Sequence, residues 1–166
     1  MARKFCVAAL DLSADRSGFA CGVEPLDQYF RTQVSQDIKR RVTACFVATD
    51  ANGQTAGYYT LASASVWLAD LPESLVKKLP RYPSVPAVRM GRLAVDQAFK
   101  GEGLGAALLA DALRRAVTAE IAAYAFVVDA KDKKSARFYA HHGFIALPKQ
   151  PLFLFIPLAT VKDLIK

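Results

Sequence analysis

The sequence is poor in the residues that build disulfide frameworks and metal centres. Its 166 residues include three cysteines, Cys6, Cys21 and Cys45, and only two histidines, which are adjacent. An odd number of cysteines without a CxxC pair does not indicate a disulfide framework, and two neighbouring histidines do not indicate a zinc site. We therefore expect no metal, and we expect the three cysteines to be buried thiols.

Long apolar runs are also missing. The longest candidates, residues 122–128 and 152–156, are far shorter than the roughly 20 residues of a membrane-spanning helix. The start of the chain lacks the apolar core and cleavage pattern of a signal peptide. Apolar residues make up 53% of the chain and charged residues 22%. The sequence therefore predicts one globular domain over residues 1–166, in the cytoplasm and without a membrane partner.

Acidic residues are too few to balance the basic ones. The chain has 22 Lys and Arg against 15 Asp and Glu, a formal charge of +7. The excess is concentrated in residues 31–41 and 77–100. A solvated basic face is the commoner explanation of one charge run, whereas clustering of this kind favours a polyanionic partner. The candidates for contacts with nucleic-acid phosphates, taken as a set, are Lys39, Arg40, Arg41, Lys77, Lys78, Arg81, Arg89 and Arg92.

The hydrophobic periodicity predicts an α+β fold with a mixed sheet. We expect strands over residues 5–10, 43–49, 55–66, 88–95, 125–129, 144–147 and 152–157. We expect helices over residues 24–35, 71–79 and 135–142, a long one from 103, and a last turn from 160. Residues 50–53 have the composition of a hairpin turn, and Pro80, Pro83 and Pro86 predict a stiff loop before the fourth strand.

Residues 89–116 contain the main functional motif, a strand followed by a glycine-rich helix start. Gly101, Gly103 and Gly105 lie within five residues, directly before a long amphipathic helix. Glycines remove the Cβ atoms that would block a ligand, and the first-turn N–H groups point along the helix axis. Such a turn binds an anion, most often a phosphate. A lone glycine motif more often just turns the chain, but the helix behind this one favours the phosphate.

Two other phosphate-binding motifs contain glycines at a helix start. A P-loop needs Lys followed by Ser or Thr at the helix start, where this chain has Gly105 and alanines. A dinucleotide fold is harder to exclude, because Gly101, Gly103 and Ala106 fit G-x-G-x-x-A and Asp129 closes the next apolar run. Residues 96–100 separate the strand from the first glycine, however, and no clear βαβ unit precedes it. The dinucleotide fold remains a minor alternative.

At these residues the sequence resembles the GCN5-related N-acetyltransferase (GNAT) family, whose signature is Arg/Gln-x-x-Gly-x-Gly/Ala. Lys100, Gly103 and Gly105 occupy the signature positions, with Lys in place of Arg or Gln. The resemblance implies a mixed central sheet flanked by helices and acetyl-coenzyme A as cosubstrate. It assigns the pyrophosphate to backbone amides and the pantetheine arm to the preceding strand end. The cofactor-binding residues so implied are Leu93, Ala94, Val95, Lys100, Gly101, Gly103, Leu104, Gly105 and Ala106.

A second family element follows at residues 133–144, KKSARFYAHHGF, which resembles the acetyltransferase helix that ends in a Tyr and a Gly-Phe pair. The resemblance implies that Tyr139 is the catalytic acid, whose phenol protonates the departing coenzyme A sulfur. A tyrosine packed in the core is the alternative that helical spacing alone would favour. Ser135 either contacts the coenzyme arm or caps the helix. His141 and His142 lie in the last turn, where we expect a structural role.

Three further stretches resemble the toxin branch of these acetyltransferases: FACGVEPLDQYF at 19–30, GYYTLASASV at 57–66 and RYPSVPAVRMGRLAVD at 81–96. That branch acetylates the α-amino group of aminoacyl-tRNA and blocks translation. The resemblance implies a homodimer, a ribbon-helix-helix antitoxin, and contact with operator DNA only through that antitoxin. The basic set defined above would then contact the tRNA.

The chemistry of the fourth strand agrees with such an acceptor. Residues 88–95 carry Arg89 and Arg92 but no acid, so this strand offers no general base. A lysine acceptor, with a pKa of about 10.4, would need one, whereas an α-amine at about 7.7 to 8.0 is already substantially neutral. Since the two arginines are an odd number of residues apart, at most one of them lines the site of a regular strand. The alternatives are an acetyltransferase for a small amine or protein N-terminus, and a non-catalytic nucleotide- or nucleic-acid-binding module.

Overall fold

The computed structural model describes residues 4–164. Within these residues, seven strands form one sheet in the order β1-β2-β3-β4-β5-β7-β6. The strands are β1 Cys6–Ala9, β2 Ala44–Thr49, β3 Thr55–Trp67, β4 Ser84–Val95, β5 Ala125–Asp129, β6 Ile145–Leu147 and β7 Gln150–Pro157. The helices are α1 Glu24–Thr32, α2 Val34–Lys39, α3 Glu73–Val76, α4 Leu104–Thr118, α5 Lys133–His141 and α6 Leu158–Leu164. β4 and β5 pair in parallel, while β1–β2, β2–β3, β5–β7 and β6–β7 pair antiparallel. The predicted α+β fold with a mixed sheet is confirmed.

The chain divides into two compact units, each with its own apolar core. Unit 1 comprises residues 1–62 and 91–112, and unit 2 comprises residues 63–90 and 113–166. In unit 1, aromatic rings of α1 and β3 pack together: the rings of Phe30 and Tyr58 are stacked 4.4 Å apart, and Phe19 packs against both. In unit 2, side chains of β4, β5 and β7 such as Ala87, Val127 and Phe155 form the core.

The structure shortens or divides two predicted helices. The helix expected over 24–35 is two helices, because Gln33 leaves helical geometry at φ −120° and separates α1 from α2. The helix expected over 71–79 is reduced to the single turn of α3. Pro72 has extended geometry and precedes that turn, so the helix begins after it.

The fourth strand begins earlier than predicted and includes a proline. β4 starts at Ser84, so Pro86 lies in the strand rather than in a loop. Val85 and Ala87 point into the core on either side of the exposed Pro86. Pro86 has no N–H to donate, but its carbonyl accepts a hydrogen bond of 2.8 Å from Tyr124 N.

The cysteine prediction was wrong at one position. Cys21 and Cys45 are buried, whereas Cys6 on β1 is exposed, and all three are free thiols. No helix within residues 4–164 is long and apolar enough to cross a membrane.

Candidate functional site

The glycine loop of unit 1 follows a turn that is fixed by one buried carboxylate. Asp96, only 7% exposed, accepts hydrogen bonds from Ala98 N at 2.9 Å and Ala20 N at 3.0 Å. A short 3-10 turn over Gln97–Phe99 then leads into the loop. Asp96 therefore ties residues 96–98 to the segment at Ala20, and this holds the start of the loop in place.

Gly101 and Gly103 give the loop its path. Both have left-handed backbone geometry, with φ of +82° and +78°, which costs a residue with a Cβ about 1–2 kcal/mol. A Cβ built at either glycine would meet no atom within 4 Å, so the backbone conformation, not crowding, demands glycine there. α4 begins at Leu104, and Ala107 N bonds to Gly103 O at 3.1 Å. The amides before Ala107 belong to the first helical turn, which lacks intrahelical acceptors.

Lys100 crosses to the segment before α1. Its Nζ donates a hydrogen bond of 2.6 Å to the carbonyl oxygen of Cys21. The amides of Cys21 and Gly22 in turn donate to the buried carboxylate of Asp27. Burial alone would raise the pKa of Asp27, but these hydrogen bonds bring it below its usual value. An ammonium has three donors, so Lys100 keeps donors for an anion while it orders this segment.

The strand residues expected to meet a coenzyme arm come after the part of β4 that pairs with β5. The parallel ladder between β4 and β5 joins Ala87 to Met90 with Ala125 to Val128. Leu93, Ala94 and Val95 follow that stretch, and Ala94 is buried while its neighbours are half-buried.

Tyr139 of unit 2 lies in α5 among aromatic rings. Its ring centroid is 5.2 Å from that of Phe138 and 5.6 Å from that of Phe144, and the residue is 8% exposed. Burial raises the pKa of Tyr139 to about 12, so its phenol is protonated at neutral pH. The two roles considered for Tyr139, a packed aromatic ring and a proton donor, are therefore compatible. Its ring packs in the core, and its hydroxyl is protonated.

The hydroxyl of Tyr139 differs from those of the other buried tyrosines. Tyr29, Tyr58 and Tyr59 donate to Asp37, to the Leu26 carbonyl and to Asp111, respectively. The Tyr139 hydroxyl has no hydrogen-bond partner in the part of the chain that the structure describes. No buried side-chain oxygen or nitrogen of that part lacks a partner, so the Tyr139 oxygen reaches the surface. It is available to a ligand.

The ends of α5 decide the roles of its polar residues. Asp132 is the N-cap and accepts a hydrogen bond of 2.8 Å from Ser135 N, so the interpretation of Ser135 as the cap is wrong. The helix starts at Lys133, before the predicted boundary. At the other end, His142 packs against Phe138 at 4.9 Å and His141 contacts His142 at 5.2 Å, which supports the structural role expected for both.

The basic candidates are divided between the two units. Unit 1 holds Lys39, Arg40, Arg41 and Arg92, and unit 2 holds Lys77, Lys78, Arg81 and Arg89. All except Arg92 are exposed. Arg89 forms an exposed ion pair with Asp129 at 3.3 Å, whereas the Arg92 guanidinium lies over the ring of Tyr29. The predicted difference in orientation between these two arginines thus has a structural counterpart.

Sequence reasoning missed the residues that hold Arg92 and the segments beside the glycine loop in place. Asp96 contacts Ala20 and Tyr29 contacts Arg92, which are distant in sequence. Asp27 and Asp37 bond to residues five to eight positions away, and no local pattern marks these contacts. A buried aspartate held by backbone amides leaves no signal other than its residue type. Within residues 4–164, no group of three or more His, Cys, Asp or Glu side chains is placed to hold a metal ion.

Comparisons with known proteins identify close relatives. A family model described as an acetyltransferase (GNAT) domain matches residues 18–153. The probable toxin TacT of Sinorhizobium fredii is 32% identical over 160 residues, which cover 90% of this chain and 88% of that protein. The tRNA-acetylating toxin of Mycobacterium tuberculosis is 36% identical over 153 residues, covering 91% and 90%.

Solved structures are similar over nearly the whole chain. AtaT complexed with acetyl-methionyl-tRNAfMet has a TM-score of 0.90 and 29% identity, over 98% of this chain and all of that one. A tyrosine-to-phenylalanine mutant of KacT has a TM-score of 0.91 and 27% identity, over 98% and 99%. Related structures hold AtaTR with acetyl-coenzyme A, AtaT with the C-terminus of the antitoxin AtaR, and the AtaT-AtaR complex with DNA.

Proposed function

The chain belongs to the acetyltransferase (GNAT) family, in the branch of the tRNA-acetylating toxins, and from this premise we propose that it acetylates the α-amino group of aminoacyl-tRNA. The acetyl group comes from acetyl-coenzyme A, and the modified tRNA no longer supports translation. The protein is then the toxin of a toxin–antitoxin pair. The hydroxyl of Tyr139, protonated and without a hydrogen-bond partner among residues 4–164, is the observation that carries this proposal.

The residues of the glycine loop fit the pyrophosphate of coenzyme A. The left-handed Gly101 and Gly103 leave open space on the loop, and the first turn of α4 offers amides to an anion. Lys100 adds a positive charge beside them. We infer that Gly101, Gly103, Leu104, Gly105 and Ala106 hold the pyrophosphate. Ser135, with its side chain at the start of α5, stays a candidate for the coenzyme arm.

We assign the pantetheine arm to the main chain of Leu93, Ala94 and Val95. The pairing of β4 with β5 ends at Met90, which supports the assignment of a ligand to the β5 side of the later residues. Bound acetyl-coenzyme A supplies an activated thioester, whose C–S bond breaks as the C–N bond forms.

Tyr139 is the catalytic acid in this proposal. The neutral α-amine attacks the thioester carbonyl and loses a proton to solvent, while the Tyr139 phenol donates its proton to the departing sulfur. Residues 88–95 of β4 carry no acid that could act as a general base, and this mechanism does not require one, because the α-amine needs no strong base. The relative KacT was solved as a tyrosine-to-phenylalanine mutant, which supports a working role for a tyrosine in this branch.

The partners are proposed on the same premise. AtaT is known with its antitoxin AtaR, and the AtaT-AtaR complex is known with DNA, which supports an antitoxin that links this protein to operator DNA. We propose that the antitoxin is of the ribbon-helix-helix type and that the toxin is a homodimer in the cytoplasm, where charged tRNA is used. The basic set, from Lys39 to Arg92, would contact the tRNA phosphates.

A cell-free translation reaction tests the function. Purified protein added with acetyl-coenzyme A should stop synthesis of a reporter, and protein added without acetyl-coenzyme A should not. Pre-treated charged tRNA, freed of the protein, should fail to restore synthesis, while fresh charged tRNA should restore it. Synthesis that continues at the full rate in the presence of protein and acetyl-coenzyme A would overturn the proposal and favour a small amine or a protein N-terminus as acceptor.

A further inference from the structure

Arg92, in unit 1, is held flat on an aromatic ring. Its guanidinium carbon lies 3.4 Å from the centroid of the Tyr29 ring, and the side chain is half-buried. A guanidinium stacked on a ring loses much of its conformational freedom, while its N–H groups stay in the plane of the guanidinium and point away from its edge. The stack therefore orients the donors of Arg92 without using them.

Those donors have no acceptor among the residues that the structure describes. Arg92 makes no hydrogen bond to any residue between 4 and 164, and none of the polar side-chain atoms buried there lacks a partner, so its nitrogens are open to solvent. Three other arginines use donors within the fold. Arg16 donates to the Phe30 carbonyl, Arg31 to the Phe19 carbonyl, and Arg89 to Asp129.

The ring beneath Arg92 is itself fixed. Tyr29 in α1 is 5% exposed, and its hydroxyl donates a hydrogen bond of 2.7 Å to Asp37 in α2. Burial, together with the hydrogen bond to Asp37, raises the pKa of Tyr29, so the phenol remains a donor at neutral pH. Two helices thus hold the ring, and the ring holds the guanidinium.

We propose that Arg92 binds a phosphate group of the RNA acceptor, and that Tyr29 and Asp37 are positioning residues that orient its guanidinium. A planar fork with its donors unused matches the oxygens of a phosphate, which it can bind in a bidentate manner. Arg92 directly precedes Leu93, Ala94 and Val95, the segment assigned to the coenzyme arm, so the bound phosphate belongs to the reacting end of the RNA. This inference rests on the proposed function and adds a specific contact to it.

The variant Arg92→Gln tests the contact in the full-length protein. Steady-state acetylation of charged tRNA should show KM raised by about ten- to a hundredfold, as expected for loss of a charge-assisted bidentate contact, with kcat within about twofold. The slope of log KM against log salt should fall by about 0.7 to 0.9, one phosphate's share. Arg114→Gln removes the same charge from an exposed position of α4 and should leave all three quantities unchanged.

The coenzyme also carries phosphates, so its affinity is measured separately. Calorimetric titration of acetyl-coenzyme A should give the same Kd for wild type and Arg92→Gln. If Arg92→Gln weakens acetyl-coenzyme A binding and leaves the KM for charged tRNA unchanged, the phosphate is the coenzyme's and the RNA assignment is wrong.

A double-mutant cycle tests the positioning role. Tyr29→Phe keeps the ring but removes its hydrogen bond to Asp37, and should raise the KM for charged tRNA by about two- to fivefold. Arg92→Lys keeps the charge without the planar fork and should raise KM more than Tyr29→Phe does. If Tyr29 acts through Arg92, adding Tyr29→Phe to Arg92→Gln should change KM no further. If Tyr29→Phe raises KM equally in the wild-type and Arg92→Gln proteins, Tyr29 has only a structural role and does not act through Arg92.

Two negative outcomes are distinguishable. Wild-type KM and salt dependence in Arg92→Gln, with an active wild-type protein, would overturn this inference and leave the proposed function intact. A wild-type protein that never acetylates charged tRNA would overturn both.

Discussion

At the scale of single residues, environment decides which tyrosine can do chemistry. Tyr29, Tyr58, Tyr59 and Tyr139 are all buried, yet the hydroxyls of the first three are committed to acceptors within the fold. Only the Tyr139 hydroxyl, among the buried tyrosines in residues 4–164, has no such partner and reaches the surface. A polar group that the protein does not use is available to a substrate.

The variant Tyr139→Phe removes that hydroxyl without removing a hydrogen bond to any residue from 4 to 164. Turnover on charged tRNA should fall by about 10²- to 10⁴-fold, the usual contribution of a general acid, while the midpoint of thermal unfolding and the Kd for acetyl-coenzyme A stay near wild type. Tyr59→Phe, which removes a buried hydroxyl hydrogen-bonded to Asp111, is the matched control and should keep its turnover. Wild-type turnover in Tyr139→Phe would remove Tyr139 from the mechanism.

The pH dependence of turnover follows from the same phenol. Its protonated form is the active one, and because burial raises the pKa of Tyr139 to about 12, that form persists well above neutral pH. The rate should rise as the acceptor α-amine loses its proton near pH 8, and should then level off up to about pH 10. A pH profile of kcat measures this. A falling limb centred below pH 10 would contradict the assigned protonation state.

At the scale of elements, a glycine in β3 allows β3, β4 and α4 to pack closely. A Cβ on Gly57 of β3 would lie 2.8 Å from the Ala94 carbonyl oxygen of β4 and 2.8 Å from a methyl group of Leu108 in α4. The backbone oxygen cannot move aside as the end of a flexible side chain could. Gly57 therefore sets the position of the Ala94 carbonyl, in the segment assigned to the coenzyme arm.

Gly57→Ala should therefore destabilise the fold by about 1–3 kcal/mol through overpacking, measured by urea unfolding. It should also weaken acetyl-coenzyme A binding, because β4 must shift. Gly18→Ala meets no atom within 4 Å and serves as the control, with stability close to wild type. Wild-type stability in Gly57→Ala would contradict the close packing of β3 against β4 and α4.

Elements whose determinants are local were predictable from the sequence. The strand at Ala125–Asp129 is a continuous apolar run, and the glycine loop before α4 combines glycines with helical periodicity, so both were found. The break at Gln33 and the inclusion of Pro86 in β4 were not, because distant packing decides them. The stacking of Arg92 on Tyr29 joins residues far apart in sequence. The sequence indicated only that Arg89 and Arg92, an odd number of residues apart, face different sides of the strand.

At the scale of the whole molecule, the two units share their strands and their family match. β3 and β4 each run through both units, and the acetyltransferase family match over residues 18–153 also includes parts of both. We infer that residues 1–166 form one functional domain.

Transfer of a labelled acetyl group to charged tRNA is the reaction that we propose for this protein, and it can be measured directly. The purified protein is incubated with radiolabelled acetyl-coenzyme A and bulk aminoacyl-tRNA, with deacylated tRNA as control, and the amino acids are released by mild alkali. We expect label only with charged tRNA, all of it on the α-amino group of the released amino acid, and almost none with Tyr139→Phe. No label on charged tRNA, from protein that still binds acetyl-coenzyme A, would contradict the proposed reaction.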